Sequence, residues 1–157
     1  METNGIVREN LQKVRENIES ACRRSGRDPK EVTLIAVSKT KPVPLLLEAY
    51  EEGERDFGEN KVQEILAKKP EMPEDIRWHM IGHLQRNKVH QVVDQAVLIH
   101  SVDSLRLAQQ IEQESAKKGI ETDILLEVNV AREESKYGFL LEEVEDAVMT
   151  IKDFPHV

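Results

Sequence analysis

Cysteine, aromatic residues and long apolar runs are all scarce in this chain, and each scarcity closes off a class of protein. One of its 157 residues is cysteine, Cys22, so no internal disulfide can form, which fits a reducing cytoplasm. Aromatics make up 4%, too few for the stacking platforms that grip single-stranded nucleic acid. No apolar run approaches the roughly 20 residues that span a bilayer. The opening Met1-Glu2-Thr3-Asn4 lacks the basic-then-apolar order of a secretory signal. Positive charge is in the minority: 22 Lys and Arg against 30 Asp and Glu give a net charge of −8, a poor match for a nucleic-acid backbone. The chain has no GxGxxG dinucleotide fingerprint, no GxxxxGK(S/T) phosphate loop and no GxSxG nucleophile elbow. What is present, 39% hydrophobic and 33% charged residues, describes a globular chain of one-domain length with enough material for a sizeable core.

Two periodicities alternate along it. Val7, Leu11, Val14, Ile18 and Ala21 or Cys22 recur at helical steps, and Cys22 reads as lying on an apolar face. Arg23 and Arg24 suit the negative end of that helix, Gly26 its left-handed stop, and Asp28-Pro29 forbids continuation. Val32 to Val37 is then a nearly unbroken, β-branched run, the texture of a strand buried on both faces of a parallel sheet. A helix from Pro44 stops at Gly53. A strand around Arg55-Asp56-Phe57 precedes a helix carrying Val62, Ile65 and Leu66. A strand from Arg77 to Ile81 precedes a helix carrying Val89, Val92 and Val93. A strand from Val97 to His100 precedes a helix from Ser104 to Lys118, with Asp103 placed to cap it and Gly119 to end it. Ile124 to Val130 is the last strand, followed by a helix with Leu141, Val144, Ala147 or Val148, and Ile151. Such alternation predicts an α/β fold with parallel strands and right-handed crossovers. An eight-unit barrel takes about 250 residues, with ~200 a practical minimum. About five βα units after an N-terminal helix therefore leave an open sheet and an incomplete TIM-type (β/α)8 barrel both possible on periodicity alone.

The polar residues fall just after the strands: Ser38-Lys39-Thr40-Lys41, Gly58-Glu59-Asn60, Gly82-His83, His100-Ser101-Val102-Asp103, and Asn129 with the loop through Lys136. In parallel α/β folds these ends share one rim, where sites are built. Lys39 follows the apolar strand directly. An ammonium held beside a packed interior loses solvation and sheds its proton more easily, and Lys41, if the segment stays extended, faces the same side and adds repulsion. That is the chemistry a Schiff base needs. Two solvated lysines in a stiffened loop are the plain alternative. Asn60 reads as a ligand contact or, on position alone, as a helix cap. Glu59 reads as structural, and Gly58 and Gly82 as sites of close backbone approach or tight turns. His79 and His83 lie four apart, but across a strand end, so they do not read as paired metal ligands.

Taken together these segments resemble a known family. Leu34-Ile35-Ala36-Val37-Ser38-Lys39-Thr40-Lys41-Pro42 resembles the lysine motif of the YggS family, the pyridoxal-phosphate homeostasis proteins. Phe57-Gly58-Glu59-Asn60-Lys61-Val62-Gln63-Glu64 resembles its second motif, and Trp78 to Lys88 its third. His100-Ser101-Val102-Asp103-Ser104 and Val128-Asn129 to Gly138-Phe139 resemble two more. The resemblance implies a barrel like that of alanine racemase. It implies pyridoxal 5'-phosphate (PLP) held as a Schiff base on Lys39, Asn60 near the cofactor, and Lys41, His83 and Lys136 near the rim. It implies a cytoplasmic, non-catalytic role in vitamin B6 homeostasis, with PLP-requiring enzymes as partners, and neither a membrane nor a nucleic acid. An amino-acid racemase or lyase, and a non-binding barrel fragment that self-associates through open sheet edges, are the alternatives. Members of the family run on for further βα units that supply the phosphate-binding loop, so residues 1–157 are expected to form a single cofactor-binding barrel domain without its C-terminal units.

Overall fold

The structure, a computed structural model, describes residues 5–157. Helix α1 spans Ile6–Ser25 and ends as its sequence requires, with Gly26 at φ 70° and its N–H returned to the last turn. Cys22 on its inner face is buried. Five βα units follow: β1 Ala36–Val37, α2 Val43–Glu51, β2 Asp56–Glu59, α3 Val62–Lys68, β3 Arg77–Met80, α4 Val89–Val92, β4 Leu98–Val102, α5 Leu105–Lys118, β5 Ile124–Leu126 and α6 Val144–Ile151. All pairings are parallel and the spatial order is β1-β2-β3-β4-β5. An order that follows the sequence without reversing is that of a barrel wall. A doubly wound sheet would turn back at a switch point. The choice that periodicity left open therefore falls to barrel-type winding.

Alternation along the strands sorts residues into two layers. Phe57, Trp78, Met80 and Ile99 face the helices and form the core with Leu46, Ile65, Val89, Val92, Leu107 and Ile111. Phe57 and Trp78 lie tilted across adjacent strands, centroids 5.9 Å apart. The alternate residues Asp56, Gly58, Arg77 and His79 occupy the other face. Among the described residues no helix is long and apolar enough to cross a membrane.

Three local expectations are corrected. The strand read over Val32 to Val37 has only two residues in ladder geometry, and Val37 is 55% exposed. Among the described strands β1 pairs on one side only, with β2, so pairing does not propagate back toward Val32. The last strand likewise stops at Leu126, continued by a single bridge between Val128 and Phe139. The cap of α5 is Ser104, whose hydroxyl accepts from the Leu107 N–H at 3.1 Å, and not Asp103. Two cap-forming residues stand side by side there, and the helix starts one residue later than Asp103 would allow.

Candidate functional site

The C-terminal ends of the strands bring Ser38-Lys39, Glu59-Asn60 and Gly82-His83 to one rim, as their positions after successive parallel strands require. The backbones of the second and third ends touch. A Cβ placed on Gly82 would come within 2.6 Å of Asn60 Cα, so only glycine lets these two loops close on each other. Asn60 and His83 both border a cavity of about 270 Å³ with Val62, Leu84 and Lys88. Asn60 is not a helix cap, contrary to its positional reading. The N-cap of α3 is Lys61, which makes no side-chain cap bond. His83 stacks on Tyr137, with centroids 3.8 Å apart and planes 11° apart, and its Nδ1 lies 3.4 Å from an Asp103 carboxylate oxygen. The loop after β5 is thereby drawn onto the rim. Tyr137 makes the stacking contact, while Lys136 shares a separate shallow cavity with Asn129 and Tyr137.

Lys39 is exposed and forms no ion pair among the described residues. The packed neighbour expected beside it is absent: Val37 before it is open on an edge strand. Lys41 does not face the same side by alternation either, because the segment does not stay extended. Ser38 to Lys41 is a turn, with the Lys41 N–H donating to the Ser38 carbonyl at 3.1 Å. Thr40 stands at φ 61°, a left-handed conformation that costs a β-branched residue about 1–3 kcal/mol. Lys41 instead borders an apolar cavity between β1 and the helices, with Val7, Leu45 and Leu46.

What holds this turn is a buried ionic network that the residue-by-residue reading missed. Ser38 Oγ donates to Glu59 Oε1 at 2.7 Å. Lys68 Nζ donates to the same oxygen at 2.6 Å, to the Ser38 carbonyl at 2.7 Å and to Glu64 Oε2 at 2.9 Å. Glu64 Oε2 accepts in turn from the Thr40 N–H at 2.8 Å. Glu59 is fully buried and its Oε2 has no partner, so all its bonding runs through one oxygen. Burial pushes Glu59 above the usual carboxylate range despite the bonds from Lys68 and Ser38. Burial acts on Glu64 in the same direction but is outweighed by Lys68 and the Thr40 N–H, so Glu64 sits below that range.

A second polar cluster lies on the other face of the sheet, anchored at Asp56 and Arg77, the first residues of β2 and β3, and reaching along the strands to His79 and His100. Asp56 accepts from Arg77 Nε at 2.9 Å and Nη2 at 2.6 Å, and from His79 Nε2 at 2.9 Å. His79 Nδ1 lies 2.9 Å from His100 Nε2. An ionised Asp56 can only accept, so His79 carries its proton on Nε2. A neutral His79 then accepts at Nδ1 from His100. Burial, and secondarily repulsion from the His79 ring when that ring is protonated, hold His100 below the ordinary imidazole range.

A family model described as alanine racemase, N-terminal domain, matches residues 10–157. The chain is 38% identical over 152 residues to the pyridoxal phosphate homeostasis protein of Pseudomonas aeruginosa, covering 96% of this chain and 66% of that protein. Among solved structures, PipY of Synechococcus elongatus with PLP bound is 32% identical with a TM-score of 0.74, over 89% of this chain and 66% of that one. An alanine racemase of Clostridium difficile, 13% identical with a TM-score of 0.75, shares the fold over 96% of this chain and 37% of its own. The chain thus spans just under two thirds of the length of the curated relative.

Proposed function

The chain belongs to the family of the alanine racemase N-terminal domain, and from that premise we propose that it binds pyridoxal 5'-phosphate through a Schiff base on Lys39 and serves vitamin B6 homeostasis as a non-catalytic carrier. One observation carries the reading: an exposed lysine, with no ion pair among the described residues, stands at the C-terminal rim in a turn fixed on both sides. The amine fits the aldehyde of the group: a primary amine open to solvent condenses with an aldehyde more readily than one held in an ion pair. When bound, the cofactor supplies the aldehyde carbon and an electron-accepting ring.

The remaining rim residues bind and orient. Asn60 and His83 follow successive strands to the same rim as Lys39 and border one cavity, whose lining includes none of residues 38–41, and are proposed to contact the ligand. The Tyr137 stack keeps the His83 ring in one orientation. Lys41, turned toward the helix layer, is proposed to contribute positive charge to the site from outside that cavity. On this reading residues 1–157 act as one cofactor-binding unit in the cytoplasm, with PLP-requiring enzymes as recipients, and the chain exchanges no α-proton of any amino acid.

A titration with PLP tests the proposal. The chain should develop absorbance near ~420 nm, the general signature of this cofactor on an amine. Lys39→Ala should abolish it while leaving the thermal melt unchanged. An equal band in Lys39→Ala would place the cofactor on another lysine and overturn the assignment.

A further inference from the structure

Lys68 stands in the last turn of α3, outside the loops that follow the strands, and is 8% exposed. Its ammonium makes three hydrogen bonds, to the Ser38 carbonyl, Glu59 and Glu64. Burying one cation with two carboxylates is an inefficient route to stability, since an apolar trio of the same volume does as well or better. What this trio provides is geometry. Ser38 is held through its N–H to the Gly58 carbonyl at 2.9 Å, its hydroxyl to Glu59 and its carbonyl to Lys68. Thr40 is held through its N–H to Glu64. These are the two neighbours of Lys39. With both fixed, the Cα–Cβ direction of Lys39 is fixed, and only its side-chain rotamers remain free. The left-handed Thr40 needs such over-determination, because an L residue leaves that conformation when nothing holds it.

We propose that Lys68 is a positioning residue for Lys39: with Glu59 and Glu64 it clamps Ser38 and Thr40 and so sets the direction in which the rim presents the Lys39 amine. The proposal rests on Lys39 being the cofactor lysine, but the clamp itself is a property of the free chain. Lys39 and Lys41 are both exposed amines in one short segment. The clamp, and not access, is what separates them.

Two measurements on the 157-residue chain test this. The first is amide hydrogen exchange at Thr40 without cofactor. The second is the ratio of Lys39 to Lys41 modification after brief PLP treatment and borohydride reduction, read by peptide mass spectrometry well below the melting temperature. Three variants are compared with wild type: Lys68→Met, the charge-neutral pair Glu59→Gln with Lys68→Met, and Glu64→Gln, whose site is only partly buried and which keeps the fold if the others do not. Losing one charge-assisted bond on the turn should speed Thr40 exchange about tenfold and cut the Lys39 to Lys41 ratio by a similar factor. A purely structural role would lower the melting temperature and leave the ratio unchanged. Unchanged exchange and an unchanged ratio in a folded variant overturn the clamp. Faster exchange with an unchanged ratio also overturns it, because the turn would then not govern the amine. If the wild-type chain is not modified at Lys39 while Thr40 is protected by the trio, the cofactor assignment fails and the clamp stands as a feature of the turn alone.

Discussion

Asp56 and Glu59 are three residues apart on one four-residue strand, both nearly shut off from solvent, yet their carboxyls are driven in opposite directions. Burial raises both. At Asp56 two bonds from Arg77 and one from His79 engage both oxygens and outweigh it, so the group sits below the ordinary carboxylate range. At Glu59 one oxygen is shared by Lys68 and Ser38 while the other has no partner, and burial wins. The fully engaged network is anchored at Asp56 and Arg77, the first residues of β2 and β3, toward the end where barrels carry stability. The incompletely engaged one is at the C-terminal rim, where they carry sites. A strained threonine and a lysine with no ion pair among the described residues stand beside the second and not the first.

The largest effect that would break this comparison is expected at Lys68. Lys68→Met leaves the buried Glu59 and the half-buried Glu64 without their shared cation and should cost about 3–5 kcal/mol by denaturant unfolding. Adding Glu59→Gln should recover most of that loss, since the uncompensated charge is then removed. Asp56→Ala should cost about 1–3 kcal/mol by orphaning the Arg77 and His79 donors, yet leave modification of Lys39 at its wild-type rate. A slowed rate there would erase the division between the two ends. Gly82→Ala pushes a methyl into the Asn60 backbone and should cost about 1–3 kcal/mol, with a weakened PLP titration because Asn60 is displaced. The smallest effect is a pH dependence. His100 is held below its ordinary value in the fold, so as pH falls the unfolded chain binds that proton first. Its contribution is complete above about pH 6.5 and is lost as acidity carries the pH below that. Melting curves between pH 7.5 and 5.5 should show this loss in wild type and a flatter profile in His100→Asn.

Much of the fold was legible because it is written in local periodicity. The βα alternation, the Gly26 stop, buried Cys22 and the convergence of Lys39, Asn60 and His83 on one rim all follow from spacing alone. The Lys68 network was not legible. A lysine at the end of a short helix reads as a solvated charge complementing the helix dipole. Only the packing of α3 against β1 and β2 carries it to Ser38, 30 positions back in the chain. The turn at Thr40 was hidden for a related reason. No glycine or asparagine marks a left-handed residue there, and Glu64, which holds its N–H, lies 24 positions away. Lys41 would share the side of Lys39 only in an extended segment, and the turn removes that condition.

The central claim, that the amine on the first strand's turn is the one this fold presents, is tested most directly by peptide mapping of the chain after PLP treatment and borohydride reduction. The account predicts a single dominant adduct, on the peptide containing Lys39. Adducts spread evenly over other exposed lysines such as Lys30, Lys117 and Lys152 would contradict it.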